Sequence, residues 1–181
     1  AISGDSHVAR HDAADDPGWW DIAVGPGQPI DTDRYFVICP NLLGGCHGTT
    51  GPRSTAPDGA PWLDRFPLLT PRDLMRFTRA FLARLGIERP ATVVGASMGA
   101  MVAWEWAIEA GDGVGLAVVV AAPLRTTAQQ IGLNWLQRRG VELDLGPDEA
   151  LKRFGQMVAR GVGMISYRSP LGLEEKFGRE W

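Results

Sequence analysis

Gly95-Ala96-Ser97-Met98-Gly99 is the segment whose residue types and spacing bear most directly on chemistry. A serine with glycine two residues away on either side, after the apolar run Ala91–Val94 and before the apolar Met98–Ala110, fits a strand, tight turn and helix that thrust the hydroxyl outward. Such a turn holds the serine in a strained backbone region, and the two glycines leave room where side chains would strike the strand and the helix. The helix that follows aims the positive end of its dipole at the hydroxyl, and the Met98 backbone N–H is placed to donate to a developing oxyanion. A purely structural glycine-rich turn is the alternative reading of these five residues; the strand-then-helix context favours a nucleophile.

A serine nucleophile needs a base, and in a fold built around such a turn the partners follow it in the order Ser, Asp or Glu, His. No histidine follows Ser97: His7, His11 and His47 all precede it. Their position reads as surface or hydrogen-bonding roles rather than as the base. Cys39 and Cys46 lie seven apart with no second pair, so they read as structural or incidental thiols, and no metal site is expected.

The elements that must position Ser97 are legible around it. Thr70-Pro71 gives an N-cap and a first-turn proline, and Asp73 adds negative charge to that turn. Leu74, Phe77, Phe81 and Leu85 then recur at helical spacing until Gly86 stops the run. Leu116–Ala121 reads as a strand with no polar face. Strand, helix, strand implies a parallel, right-handed crossover with helices on the sheet, which makes the class α/β. Tyr35–Cys39, ended by Pro40, reads as a further buried strand. The first 34 residues, rich in Gly, Pro and Asp, read as a long turn-bearing segment that the paired Trp19 and Trp20 pack down rather than leave disordered. After Pro123 only helices are expected, over Thr127–Arg138 and Pro147–Arg160. The chain therefore divides into a core over 1–125 and a helical lid over 126–181.

Composition closes off other classes. The 181 residues carry 45% hydrophobic and 22% charged side chains, in the range of one globular domain, and a net charge of −3 argues against nucleic acid or anionic membranes as partners. The longest apolar stretch, Val114–Pro123, is about half the roughly 20 residues of a membrane span, so a cytoplasmic location is expected.

Read together, the motifs resemble the homoserine O-acetyltransferase family, the acyl-CoA-dependent branch of the α/β-hydrolase fold. The matching segments are Gly4-Asp5-Ser6-His7, Pro17-Gly18-Trp19-Trp20-Asp21, Gly25-Pro26-Gly27 with Pro29–Thr32, the glycine-rich Asn41–Pro52, Arg65-Phe66-Pro67, the turn at Ser97, Ala128–Gly132 and Tyr167-Arg168-Ser169. The resemblance implies a mostly parallel sheet with a helical lid, and Ser97 as nucleophile of a ping-pong transfer of an acetyl group from acetyl-CoA to L-homoserine, in methionine biosynthesis. It implies oxyanion donors at the backbone N–H of Met98 and of Ile2, where the family usually has Leu. Arg168 is implied as the partner of the substrate carboxylate, with Tyr167, Asn41, Gly44 and Gly45 near or shaping the site. For Arg168 a solvated surface cation, and for the loop residues an ordinary tight turn, remain the alternatives. No permanently bound cofactor is implied; a homodimer is, for a full-length chain. The family's later Asp and His, and the strands before its oxyanion loop, have no match here, so an internal fragment, incomplete at both ends and with little activity alone, is expected. The lid segment Asn134–Pro147 lacks the family's Asp-x-Trp and Gly-x-Tyr pattern, which leaves serine as an alternative acceptor; the shared fold leaves an esterase, the absent downstream histidine a non-catalytic remnant, and the donor is open between acetyl and succinyl.

Overall fold

A computed structural model describes residues 4–45, 47–143 and 154–178. It divides into two compact units, residues 1–124 and 125–181. The architecture of the first is set by the two strands and two helices around Ser97.

Helix α1 (Pro71–Arg84) begins as its sequence dictates: the Thr70 hydroxyl accepts from the Asp73 N–H, and the Asp73 carboxylate accepts in return from the Thr70 N–H. It ends at Gly86, whose φ of +76° only glycine adopts without strain. The face it buries differs from the expected one. Leu74, Met75 and Leu82 enter the core, whereas Phe77, Phe81 and Leu85 stay substantially exposed. Both rows are apolar, so the hydrophobic arc is wider than the surface α2 covers, and the row nearer α2 is the one buried.

Strand β3 (Thr92–Ala96) and strand β4 (Leu116–Val120) pair in parallel, with Thr92 opposite Leu116 and Ala96 opposite Val120. Helix α2 (Met98–Glu105) forms the connection with a wider π turn over Trp106–Ala110, so the expected single helix to Ala110 changes winding after Glu105. That turn keeps Trp106 buried while Glu109 reaches Arg76. Arg72 and Arg76 of α1 meet Glu105 and Glu109 at 2.9 and 2.8 Å. These pairs are solvent-exposed and contribute little stability, but they fix the register of α1 on this helix. Leu74, Met75, Leu82, Val102, Trp106 and Val114 make the core, with Ile38, Leu42, Leu43 and Leu69 packed against it.

Tyr35–Cys39 is not a strand. Among the described residues no neighbour runs alongside to complete its backbone hydrogen bonds, and only Ile38 turns into the core, while Phe36 is 83% exposed. The early segment contains instead a short parallel pair unseen in the sequence, β1 (Val24–Gly25) with β2 (Ile30–Asp31). Asp31 holds the turn before it and the turn after it by accepting from the N–H groups of Gly27 and Asp33. These bonds hold its carboxyl below the usual carboxylate range.

The second unit is helical, as expected beyond Pro123. Helix α3 (Ala128–Leu143) and helix α4 (Phe154–Ser166) both run past their expected ends, and residues 147–153 of the second expected helix lie outside the described residues. Gly140 and Gly163, within the extended helices, are contact points. A Cβ on Gly140 would lie 2.7 Å from the Gly155 carbonyl oxygen, and one on Gly163 2.8 Å from the Gln137 side-chain amide. Gly155, Ala159 and Gly163 thus form a narrow seam on α4 that lets the antiparallel pair close. Helix α5 (Pro170–Phe177) was not expected; Ser169 caps it by accepting from the Gly172 N–H.

Candidate active site

Ser97 stands between β3 and α2 with φ 54° and ψ −120°, outside the regions open to an unstrained L-residue. Its N–H donates to the Val120 carbonyl at 2.9 Å, which pins the turn to the end of β4. Its carbonyl accepts from Ala100 and Met101, so it is already the N-cap of α2, yet its side chain makes no capping bond. The side chain is exposed, and its hydroxyl has no hydrogen-bond partner among the described residues. A strained, outward-facing hydroxyl at a helix N-terminus is the arrangement a nucleophile requires.

The turn is possible only because residue 95 is glycine. A Cβ there would lie 2.0 Å from the Gly99 carbonyl oxygen and 2.4 Å from its carbon. Ala121, immediately after β4, also has positive φ (55°). Both parallel strands therefore end in left-handed backbone at the same sheet edge, the edge where open α/β sheets bind ligands. No sequence signal marks an alanine for that conformation.

Asn41 and Gly44 lie in the glycine-rich loop of the same unit. The Asn41 carboxamide accepts from the Ser6 N–H at 2.9 Å and donates to the Ser6 hydroxyl at 3.3 Å, clamping residues far apart in sequence. Gly44, at φ +84°, donates to the Thr50 carbonyl, and a Cβ on Gly45 would lie 2.9 Å from the Leu42 carbonyl oxygen. These positions build the loop, and among the described residues none of them hydrogen-bonds to Ser97. Ile2 and Cys46 lie outside the described residues. Cys39 is half-buried, and burial raises its thiol pKa, so it is a poor nucleophile.

Tyr167 and Arg168 belong to the second unit, at the end of α4. Both line an open trough of about 1020 Å³ with Gln137, Val141, Met157 and Met164. Arg168 also lines a hollow of about 370 Å³ with Gln130, Leu133 and Leu173. Among the described residues the Arg168 guanidinium has no ion-pair partner.

Among the described residues no hydrogen bond joins a histidine to Ser97. The His7 ring bonds the Asp16 carbonyl through Nε2 at 2.9 Å, which raises its pKa and favours the charged form over a free base. His7, His11 and Asp15 instead come together, with one ligating atom of each within 4.8 Å of the others.

A parallel βαβ unit with a strained serine at its turn defines a class, and the chain belongs to it: residues 8–177 match the model of the alpha/beta hydrolase fold family. Within that class, its relatives are acyltransferases by name. It is 43% identical over 190 residues to the homoserine O-succinyltransferase of Saccharophagus degradans, matching 99% of this chain and 50% of that protein. It is 42% identical over 192 residues to the homoserine O-acetyltransferase of Clavibacter michiganensis, matching 100% of this chain and 49% of that one. The chain thus spans about half the length of the curated relatives it matches. Among solved structures it is similar to esterase E22 (TM-score 0.85, 30% identity, 97% of this chain and 52% of that chain). It is also similar to homoserine O-acetyltransferase from Bacillus anthracis (TM-score 0.82, 27% identity, 99% and 52%). No helix among the described residues is long and apolar enough to cross a membrane.

Proposed function

We propose that Ser97 is the nucleophile of an acyl-CoA-dependent O-acyltransferase that moves an acetyl group from acetyl-CoA to L-homoserine, a step of methionine biosynthesis. The observation that carries this reading is the strained, unpartnered serine at the start of α2 in a chain whose relatives are named homoserine O-acyltransferases. In the first half-reaction the Ser97 oxygen attacks the thioester carbon, the C–S bond breaks, and coenzyme A leaves as the thiol with the serine proton. In the second, the homoserine hydroxyl attacks the acyl-serine carbon, the bond from that carbon to the Ser97 oxygen breaks, and the hydroxyl proton passes through the base to that oxygen, which releases the O-acyl product and regenerates Ser97. The Met98 and Ile2 backbone N–H groups are assigned to the oxyanion, Arg168 and Tyr167 to the substrate carboxylate, and Asn41 and Gly44 to substrate binding from the glycine-rich loop, each on the family resemblance. No histidine follows Ser97, so the base is to come from the half of the relatives that this chain does not match. The full-length protein is proposed to be a homodimer.

Transfer prevails over hydrolysis only where water is kept from the acyl-enzyme, the service expected of the helices after Pro123. The likeness to an esterase makes hydrolysis the second reading, and the mixed names of the relatives make succinyl transfer the variant of the first. The test is a chimera in which this chain replaces the matching half of the Clavibacter michiganensis relative. Thiol release from acetyl-CoA should depend on homoserine and vanish in Ser97→Ala. A folded chimera that cleaves esters but does not acylate homoserine refutes the proposal, and preference for succinyl-CoA corrects the donor.

A further inference from the structure

We infer that His7, His11 and Asp15 form a binding site for one divalent transition-metal ion of the zinc class, separate from the chemistry of Ser97. One ligating atom of each lies within 4.8 Å of the others, and His7 Nε2 is 3.9 Å from Asp15 Oδ2. Around a tetrahedral zinc with bonds of about 2.0 Å, neighbouring ligand atoms stand about 3.3 Å apart, so a closure of well under 1 Å on this edge brings the pair to bonding geometry. The Asp16 carbonyl oxygen, 2.9 Å from His7 Nε2, stands ready as an oxygen ligand once the imidazole proton has left.

The donor set names the ion. Two imidazoles and one carboxylate suit zinc, nickel or cobalt; calcium and magnesium prefer oxygen alone. The loop is held in place without an ion. The N–H groups of Trp19 and Trp20 donate to the carbonyls of His7 and Val8 at 3.2 and 2.9 Å, closing residues 7–20. A Cβ on Gly18 would lie 2.3 Å from Ala9, so the two arms touch. Within the loop the Asp12 carboxylate accepts from the Ala14 and Asp15 N–H groups, and Asp15 accepts from the His11 N–H. An ion would therefore not have to order a flexible segment to bind. It would brace the residue next to Ser6, whose N–H is held by Asn41 at the base of the glycine-rich loop.

The experiment is calorimetric titration of the untagged, chelator-treated full chain with zinc chloride, at about pH 8 so that protons compete little for the imidazoles. One equivalent should bind with a dissociation constant of about 1–10 μM. His11→Ala should weaken binding at least tenfold and leave the circular dichroism unchanged, because this exposed ring makes no hydrogen bond among the described residues. His11→Gln should behave alike and guards against a folding defect in the first variant. His47→Ala and the double variant Cys39→Ser, Cys46→Ser should retain the parent affinity. Undiminished binding by folded His11→Ala, loss of binding with the cysteines, or no saturable heat below about 100 μM zinc would each overturn the inference.

Discussion

Gly95→Ala places one methyl group where the structure has no room. The new Cβ would sit 2.0 Å from the Gly99 carbonyl oxygen, 2.4 Å from its carbon and 2.7 Å from the Ala100 nitrogen. Carbon and carbonyl oxygen come no closer than about 3.3 Å even in a favourable contact, so the first turn of α2 must retreat by roughly 1.3 Å. Every colliding atom is backbone, and no rotamer change relieves it. The retreat would also stretch the 2.9 Å bond from the Ser97 N–H to Val120. Overpacking typically costs about 1–3 kcal/mol, and a clash with main chain belongs at the upper end, about 3 kcal/mol. With a urea slope of about 2 kcal/mol/M, the midpoint should fall by roughly 1.5 M. Gly132→Ala is the control: an exposed position within α3, open on all sides, where alanine should stabilise by up to about 1 kcal/mol. Urea unfolding followed by circular dichroism and tryptophan fluorescence measures both. If Gly95→Ala unfolds within about 0.5 kcal/mol of the parent at unchanged slope, the steric argument for the glycine fails.

Met75→Ala, which truncates a side chain with 0% exposure, should cost about 2–5 kcal/mol in the same urea experiment, while Phe77→Ala on the exposed row of α1 should cost clearly less. Thr70→Ala should lose about 1 kcal/mol of helix stability, read from thermal unfolding. The Asp73 carboxyl is held below its usual range, first by the Thr70 hydroxyl and then by the Thr70 N–H. A depressed folded pKa means that this contribution is present above the ordinary carboxylate range and is lost as pH falls through the folded value; Asp73→Asn should therefore flatten the acid limb of a melting-temperature profile, and an unchanged limb would contradict the assignment. Gly140→Val should separate α3 from α4 and lower helicity by circular dichroism, because a Cβ there already falls 2.7 Å from a carbonyl oxygen.

The turn at Ser97 was legible because its chemistry is local: two glycines, a serine and the change from strand to helix all fall within one window. The cap of α1 was legible for the same reason. Ser169-Pro170 carries the same cap-and-proline signature as Thr70-Pro71, yet α5 was missed, because only eight residues follow and no long apolar period draws attention to them. Tyr35–Cys39 misled for the opposite reason, since strand formers become a strand only when a neighbour supplies hydrogen bonds. Helices α3 and α4 run past the ends expected at Arg138 and Arg160, and at Gly140 and Gly163 the reason is a second helix passing close by, which a single segment cannot reveal. The left-handed Ala121 and the gathering of His7, His11 and Asp15 depend on how the chain returns on itself, so only their tertiary setting exposes them.

The seam between α3 and α4 has a thermal consequence. Among the described residues of the second unit the buried positions are Gly140, Gly155, Ala159 and Gly163, while Trp135, Leu136, Met157 and Met164 face outward. Opening this helix pair would hydrate main chain and a single methyl group at those four positions, and newly wetted hydrocarbon is what raises the heat capacity of an unfolding chain. Its free-energy curve should therefore be shallow, nearly straight with temperature and slow to weaken in the cold, whereas the first unit, built around Met75 and Trp106, should show the usual pronounced dome.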